Sequence, residues 1–145
     1  MKIIKNYING NHQSSPSSKI DVYDPSKGEV ISQVVSSNEE DFKLAIKSSI
    51  NAFEEWQYVT PLKRSRILAK FKNLIENNIE TLAKTVSEEH GKTLDDAKGS
   101  IIRGLEVVEF ATGIPHLLKG EFSQNVGSNI DSWSILETNN KSFAC

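Results

Sequence analysis

The sequence predicts an α/β chain with strands near its two ends and helices filling the middle. Three observations carry that reading. Residues 1–36 alternate short apolar or β-branched runs with turn residues. Residues 37–119 repeat apolar side chains at helical spacing between capping residues. Residues 120–137 return to strand patterning. The remaining stretch, 138–145, has no periodicity and reads as an irregular tail. A length of 145 residues suits one soluble domain with a core of its own.

In the first segment, Asn6-Tyr7-Ile8 runs into the Asn9-Gly10 pair, whose residues tolerate the positive φ of a tight hairpin turn. A Ser-rich loop broken by Pro16 follows. Ile20-Asp21-Val22-Tyr23 and Glu29-Val30-Ile31-Ser32-Gln33-Val34-Val35 then form strands on either side of the Asp24-Pro25-Ser26-Lys27-Gly28 turn. This small antiparallel unit is too thin to stand alone and is expected to lie against helices.

Ser37-Asn38-Glu39-Glu40 reads as a capping box, with the Ser37 hydroxyl and Glu40 carboxylate each meeting an orphan backbone N–H. The helix it opens carries Phe42, Ala45, Ile46, Phe53 and Trp56. Thr60 and Pro61 serve as N-cap and N1 of the next helical stretch, which keeps one apolar stripe from Ile67 to Val86 and is divisible at Asn77-Asn78. Gly91 stops it, and Thr93 with Asp96 caps a further helix that runs until Gly113-Ile114-Pro115. Two strands, 121–126 and 130–136, flank Gly127-Ser128-Asn129.

Composition excludes several function classes. Seventeen basic against nineteen acidic residues, without a basic stripe, argue against nucleic acid or an anionic membrane as partner. No apolar run is long enough to span a bilayer, and the polar start Met1-Lys2-Ile3-Ile4-Lys5-Asn6 fits neither a secretory signal nor a transit peptide, so a cytoplasmic location is expected. The one cysteine, Cys145, allows no internal disulfide. His12, His90 and His116 are far apart without a second ligand at metal spacing, and no metal site is expected. Gly91-Lys92-Thr93 is no phosphate loop, because Val86 stands where that motif needs its first glycine. Gly-x-Gly and Gly-x-Ser-x-Gly motifs are absent from the sequence.

One helix stands out. Leu94, Ala97, Ile101, Leu105 and Val108 share a face, while Arg103 lies nearly opposite, beside Gly99, Val107 and Phe110. A helix facing water on that side would not place Val and Phe there, so cover on two sides is expected. An arginine among apolar groups meets a carboxylate or phosphate through its planar fork. A structural ion pair with Asp96 or Glu106, or plain solvent exposure, would explain it equally from the spacing.

Taken in order, these segments resemble the N-terminal part of the aldehyde dehydrogenase superfamily, most closely its CoA-acylating methylmalonate-semialdehyde dehydrogenase branch. The matching stretches are Asn6-Tyr7-Ile8-Asn9-Gly10, Asp21-Val22-Tyr23-Asp24-Pro25 with Gly28-Glu29-Val30, Ala52-Phe53 with Trp56, Arg66-Ile67-Leu68, Glu89-His90-Gly91-Lys92-Thr93, and Arg103-Gly104 leading into Val107-Val108-Glu109-Phe110-Ala111. The last of these favours the semialdehyde branch.

The resemblance implies NAD-dependent oxidation of malonate or methylmalonate semialdehyde to acetyl- or propionyl-CoA. In that chemistry a cysteine attacks the aldehyde, hydride passes to NAD and CoA resolves the thioester. It also implies a homo-oligomer, with residues 120–137 as paired strands of an oligomerisation arm, and gives Arg103 the position of the arginine that clamps the semialdehyde carboxylate. Two departures accompany it. Ser100 stands where relatives carry an acidic residue, and after Trp133 the run Ile135-Leu136-Glu137-Thr138-Asn139-Asn140 abandons the family pattern. The family's nucleophile and its NAD-binding segments have no match here, Cys145 included. The expectation is therefore an N-terminal fragment, inactive alone, without the dinucleotide-binding sheet strands of the family core. The alternative is a non-catalytic helical interaction module that binds a partner or a full-length relative through uncovered apolar faces.

Overall fold

A computed structural model describes residues 1–137. Seven strands and five helices follow one another as β1 (Lys2–Ile4), β2 (Asn6–Ile8), β3 (Asn11–Gln13), β4 (Lys19–Asp24), β5 (Glu29–Val35), α1 (Glu39–Trp56), α2 (Pro61–Asn77), α3 (Ile79–His90), α4 (Leu94–Ala111), α5 (Ile114–Leu117), β6 (Phe122–Gly127) and β7 (Ile130–Trp133). The order of strands, helices and late strands expected from patterning is the order observed. The tail from 138 onward, and Cys145 with it, lies outside the described residues.

The antiparallel unit is present in two parts. β2 and β3 form a hairpin over Asn9 and Gly10, both at positive φ (51° and 76°). β4 pairs antiparallel with β5, with a register shift between Val22 and Tyr23. One strand was not anticipated: β1 joins the far edge of β5 in parallel register, Ile3 opposite Gln33. A three-residue strand whose partner lies thirty positions away leaves almost no local pattern to read.

The capping box sits one residue later than the spacing suggested. Asn38, not Ser37, is the N-cap: its side chain accepts from the backbone N–H of Glu40 and Asp41 at 2.9 and 3.1 Å. Asp41, not Glu40, returns the bond to the Asn38 N–H at 3.2 Å. The choice falls on Asp41 because its other oxygen accepts from the backbone N–H of Ser15 at 2.7 Å, tying the Ser-rich loop to the helix start. Thr60 and Pro61 open α2 as expected, Asn78 separates α2 from α3, and Thr93 caps α4. Gly91 ends α3 in the left-handed region at φ 80°.

The helices make the centre of the molecule. α4 packs on both α2 and α3, and α3 reaches β4. Ala83 and Ala97 are fully buried, small residues that let α3 and α4 approach closely. Lys72 of α2 pairs with Glu109 of α4 at 2.7 Å, and Lys98 of α4 with Glu80 of α3 at the same distance. The Ser65 hydroxyl donates to the Thr112 carbonyl at 2.7 Å.

Beyond this centre, burial is thin. Among the described residues no large side chain is fully buried, and Phe42, Phe71, Val107, Phe110, Phe122 and Trp133 all stand exposed. The β6–β7 hairpin is a free-standing pair of strands. Its turn holds Asn129 at φ 62°, and a register shift between Ser123 and Gly127 goes with Asn125 at φ 53°, whose N–H donates to the Asp131 carboxylate. β7 ends at Trp133 rather than continuing through Ile135 and Leu136.

Three carboxylates carry the acid sensitivity. The Ser26 hydroxyl and N–H hold Asp24 below its ordinary value of 3.8, with Lys27 adding to them. The Ser15 N–H, followed by that of Asn38, holds Asp41 low. Lys92 does the same for Asp96. Lys72 and Lys98 are raised above 10.5, chiefly by their bonds to Glu109 and Glu80. A carboxylate depressed by folding contributes stability that is present above its unfolded pKa and lost as pH falls through the folded one. A raised lysine contributes below its unfolded pKa and loses that contribution as pH rises through the folded one. The melting temperature is thus expected to hold a plateau between these limits and to fall below about pH 4. Asp41→Asn should flatten the acid limb in a thermal-melt series; an unchanged limb would remove Asp41 from it.

Candidate functional site

Arg103 lies in the middle of α4 on the side turned away from α2 and α3. The predicted inner face holds: Ala97 is buried and Ile101, Leu105 and Val108 are partly so, although Leu94, in the first turn, stays half exposed. The expected second cover is absent among the described residues. Arg103 is exposed, Val107 is 68% and Phe110 71% accessible, and Ile102 joins them. This face is apolar and bare around one cation.

Neither Asp96 nor Glu106 makes a salt bridge with Arg103 among the described residues, because the Asp96 carboxylate is taken by Lys92 at 2.9 Å. Arg103 instead donates from Nη2 to the Ser100 hydroxyl oxygen at 3.1 Å. Lys92 Nζ donates to the same oxygen at 2.8 Å, and the Ser100 hydroxyl donates to the Asp96 carbonyl at 3.2 Å. Lys92 is anchored in turn: its carbonyl accepts from Ser87 at 2.6 Å, and its side chain is only 18% exposed. The Lys92 ammonium holds the Asp96 carboxyl below its ordinary range, with smaller help from Arg103 and His90.

The expectation for Arg103 did not include this hydrogen-bonded support. Lys92, Asp96, Ser100 and Arg103 follow one another at spacings of four, four and three, a polar row along a helix, and that spacing was the available signal. Gly91-Lys92-Thr93 serves it by ending one helix and starting the next.

The residues present do not fit a dinucleotide. The one junction where a strand feeds a long helix, β5 to α1, contains no glycine and opens on Glu39, Glu40 and Asp41, whose charge repels a pyrophosphate from the helix N-terminus. Among the described residues, no three His, Cys, Asp or Glu side chains gather as metal ligands, and no helix is long and apolar enough to cross a membrane.

The aldehyde dehydrogenase family model matches residues 12–137, and the chain belongs to that family. Several of the similar proteins are semialdehyde dehydrogenases by name. Malonate-semialdehyde dehydrogenase of Pseudomonas aeruginosa is 43% identical over 134 residues, 92% of this chain and 27% of that protein. The acylating methylmalonate-semialdehyde dehydrogenase of Arabidopsis thaliana is 42% identical, over 92% of this chain and 22% of its own length. The crystal structure of methylmalonate-semialdehyde dehydrogenase from Oceanimonas doudoroffii superposes with a TM-score of 0.89 at 39% identity, covering 94% of this chain and 28% of that one. A Sinorhizobium meliloti relative crystallised with NAD superposes at 0.87 with 40% identity, over 93% and 28% of the two chains. The chain thus spans about a quarter of the length of these relatives and corresponds to their N-terminal part.

Proposed function

We propose that this chain is the substrate-recognising N-terminal part of a malonate- or methylmalonate-semialdehyde dehydrogenase, and that Arg103 binds the carboxylate of the semialdehyde. The observation that carries the reading is an arginine held by a neutral hydroxyl, unpaired with any described carboxylate, on a bare apolar face. Such a guanidinium keeps its charge and both prongs of its fork for a carboxylate ligand. In this reading the apolar neighbours Val107 and Phe110 exclude water once the rest of the enzyme covers them, which strengthens the pairing. NAD supplies the oxidising equivalent and CoA the acyl acceptor, both bound by the parts of the enzyme that these residues do not form.

The exposed hairpin side chains Phe122, Val126, Ile130 and Trp133 support residues 120–137 as an oligomerisation arm, and residues 1–36 and 37–119 as the units it extends from. The purified 145-residue chain is expected to produce no NADH from malonate semialdehyde, NAD and CoA. Turnover by this chain would overturn its role as a recognition part that depends on the rest of the enzyme.

The same bare faces favour a second reading, an interaction module without catalysis. Light scattering separates the two: a module forms a defined complex when mixed with a full-length relative or another partner, whereas the enzyme part alone forms none.

A further inference from the structure

We infer that Ser100 is a positioning residue, which orients the Arg103 guanidinium without neutralising it. The inference rests on the reading of Arg103 as a carboxylate binder. The Ser100 oxygen is itself immobilised. Its proton goes to the Asp96 carbonyl at 3.2 Å, and its lone pairs accept from Lys92 at 2.8 Å and Arg103 at 3.1 Å. Lys92 is fixed by the Asp96 carboxylate and by burial of its stem. Arg103 is therefore tethered to an atom that cannot rotate away.

The chemistry of that atom decides what the tether leaves available. A hydroxyl takes one N–H and no charge. Asp96, the nearest acidic group on this row, is already committed to Lys92, so the remaining Arg103 donors stay directed outward. This arrangement lowers the entropy lost when a carboxylate binds, since the side chain is ordered beforehand.

The test is made on the 145-residue chain itself, by nitrogen-detected NMR of the arginine side chains with Arg103 assigned through Arg103→Lys. The wild type should show restricted rotation of the Arg103 guanidinium. Ser100→Ala should accelerate that rotation about tenfold, the factor set by losing one charge-assisted hydrogen bond. Ser100→Thr, which keeps the hydroxyl, should restore the wild-type rate, and backbone spectra report whether each variant is folded. Equal rotation in wild type and Ser100→Ala, or failure of Ser100→Thr to restore it, overturns the positioning role. No substrate enters this measurement, so its failure leaves the carboxylate reading to turnover experiments, and failure there leaves the restraint standing.

Discussion

Gly91→Ala is expected to destabilise the chain by about 2–5 kcal/mol, from two sources. Gly91 has φ +80°, and an L-residue held in that region costs about 1–2 kcal/mol. A Cβ there would also stand 2.7 Å from Cγ of Pro25, in the turn between β4 and β5, so helix and turn must part. Overpacking of this kind costs about 1–3 kcal/mol. Gly28 separates the two causes, since it has φ +70° but nothing within 4 Å of a built Cβ. Gly28→Ala should therefore show the conformational cost alone. Adding Pro25→Ala to Gly91→Ala should recover part of the loss, a coupling that a double-mutant cycle from urea melts would measure. Equal costs at Gly28 and Gly91, with no coupling to Pro25, would mean that the turn does not bear on the helix end. The consequence for the site is direct, because the residue after Gly91 is Lys92, which helps fix Ser100.

Legibility in the sequence followed the range of the forces involved. Caps and stops at Thr60-Pro61, Asn78, Gly91 and Thr93 were readable because each is a bond between a side chain, or a left-handed residue, and backbone a few positions away. The first cap was misplaced by one residue because Ser37 and Asn38 both meet the local pattern. What decides between them is Asp41 reaching Ser15, 26 positions distant. The parallel edge strand β1 was invisible for the same reason, since its partner is non-local.

For the site, periodicity showed that α4 is apolar on two sides but could not say what covers the second. Val107 and Phe110 are bare among the described residues, which supply no cover for that face. Arg103 was legible as a charge in the wrong company. Its bond to Ser100 was not, because the eye follows apolar stripes along a helix and the polar row from Lys92 to Arg103 runs beside them.

Recognition of a carboxylate by Arg103 is the property with the largest expected effect on activity. On the proposed reading, replacing the arginine aligned with Arg103 by Leu in an intact semialdehyde dehydrogenase relative is expected to leave the substrate carboxylate without its partner, at a cost of about 2–5 kcal/mol. That corresponds to a loss of roughly thirtyfold to several thousandfold in kcat/KM for malonate semialdehyde. A neutral aldehyde of similar size has nothing to lose at that position and should be turned over as before or slightly better. If the pairing is made equally in ground and transition states, the loss falls on KM; if it tightens as the thiolate attacks, it falls on kcat. The most direct measurement is therefore the ratio of kcat/KM for malonate semialdehyde to that for propanal, in the unaltered enzyme and in the Leu variant. A ratio that collapses toward one supports Arg103 as the carboxylate anchor, and a ratio unchanged by the substitution contradicts it.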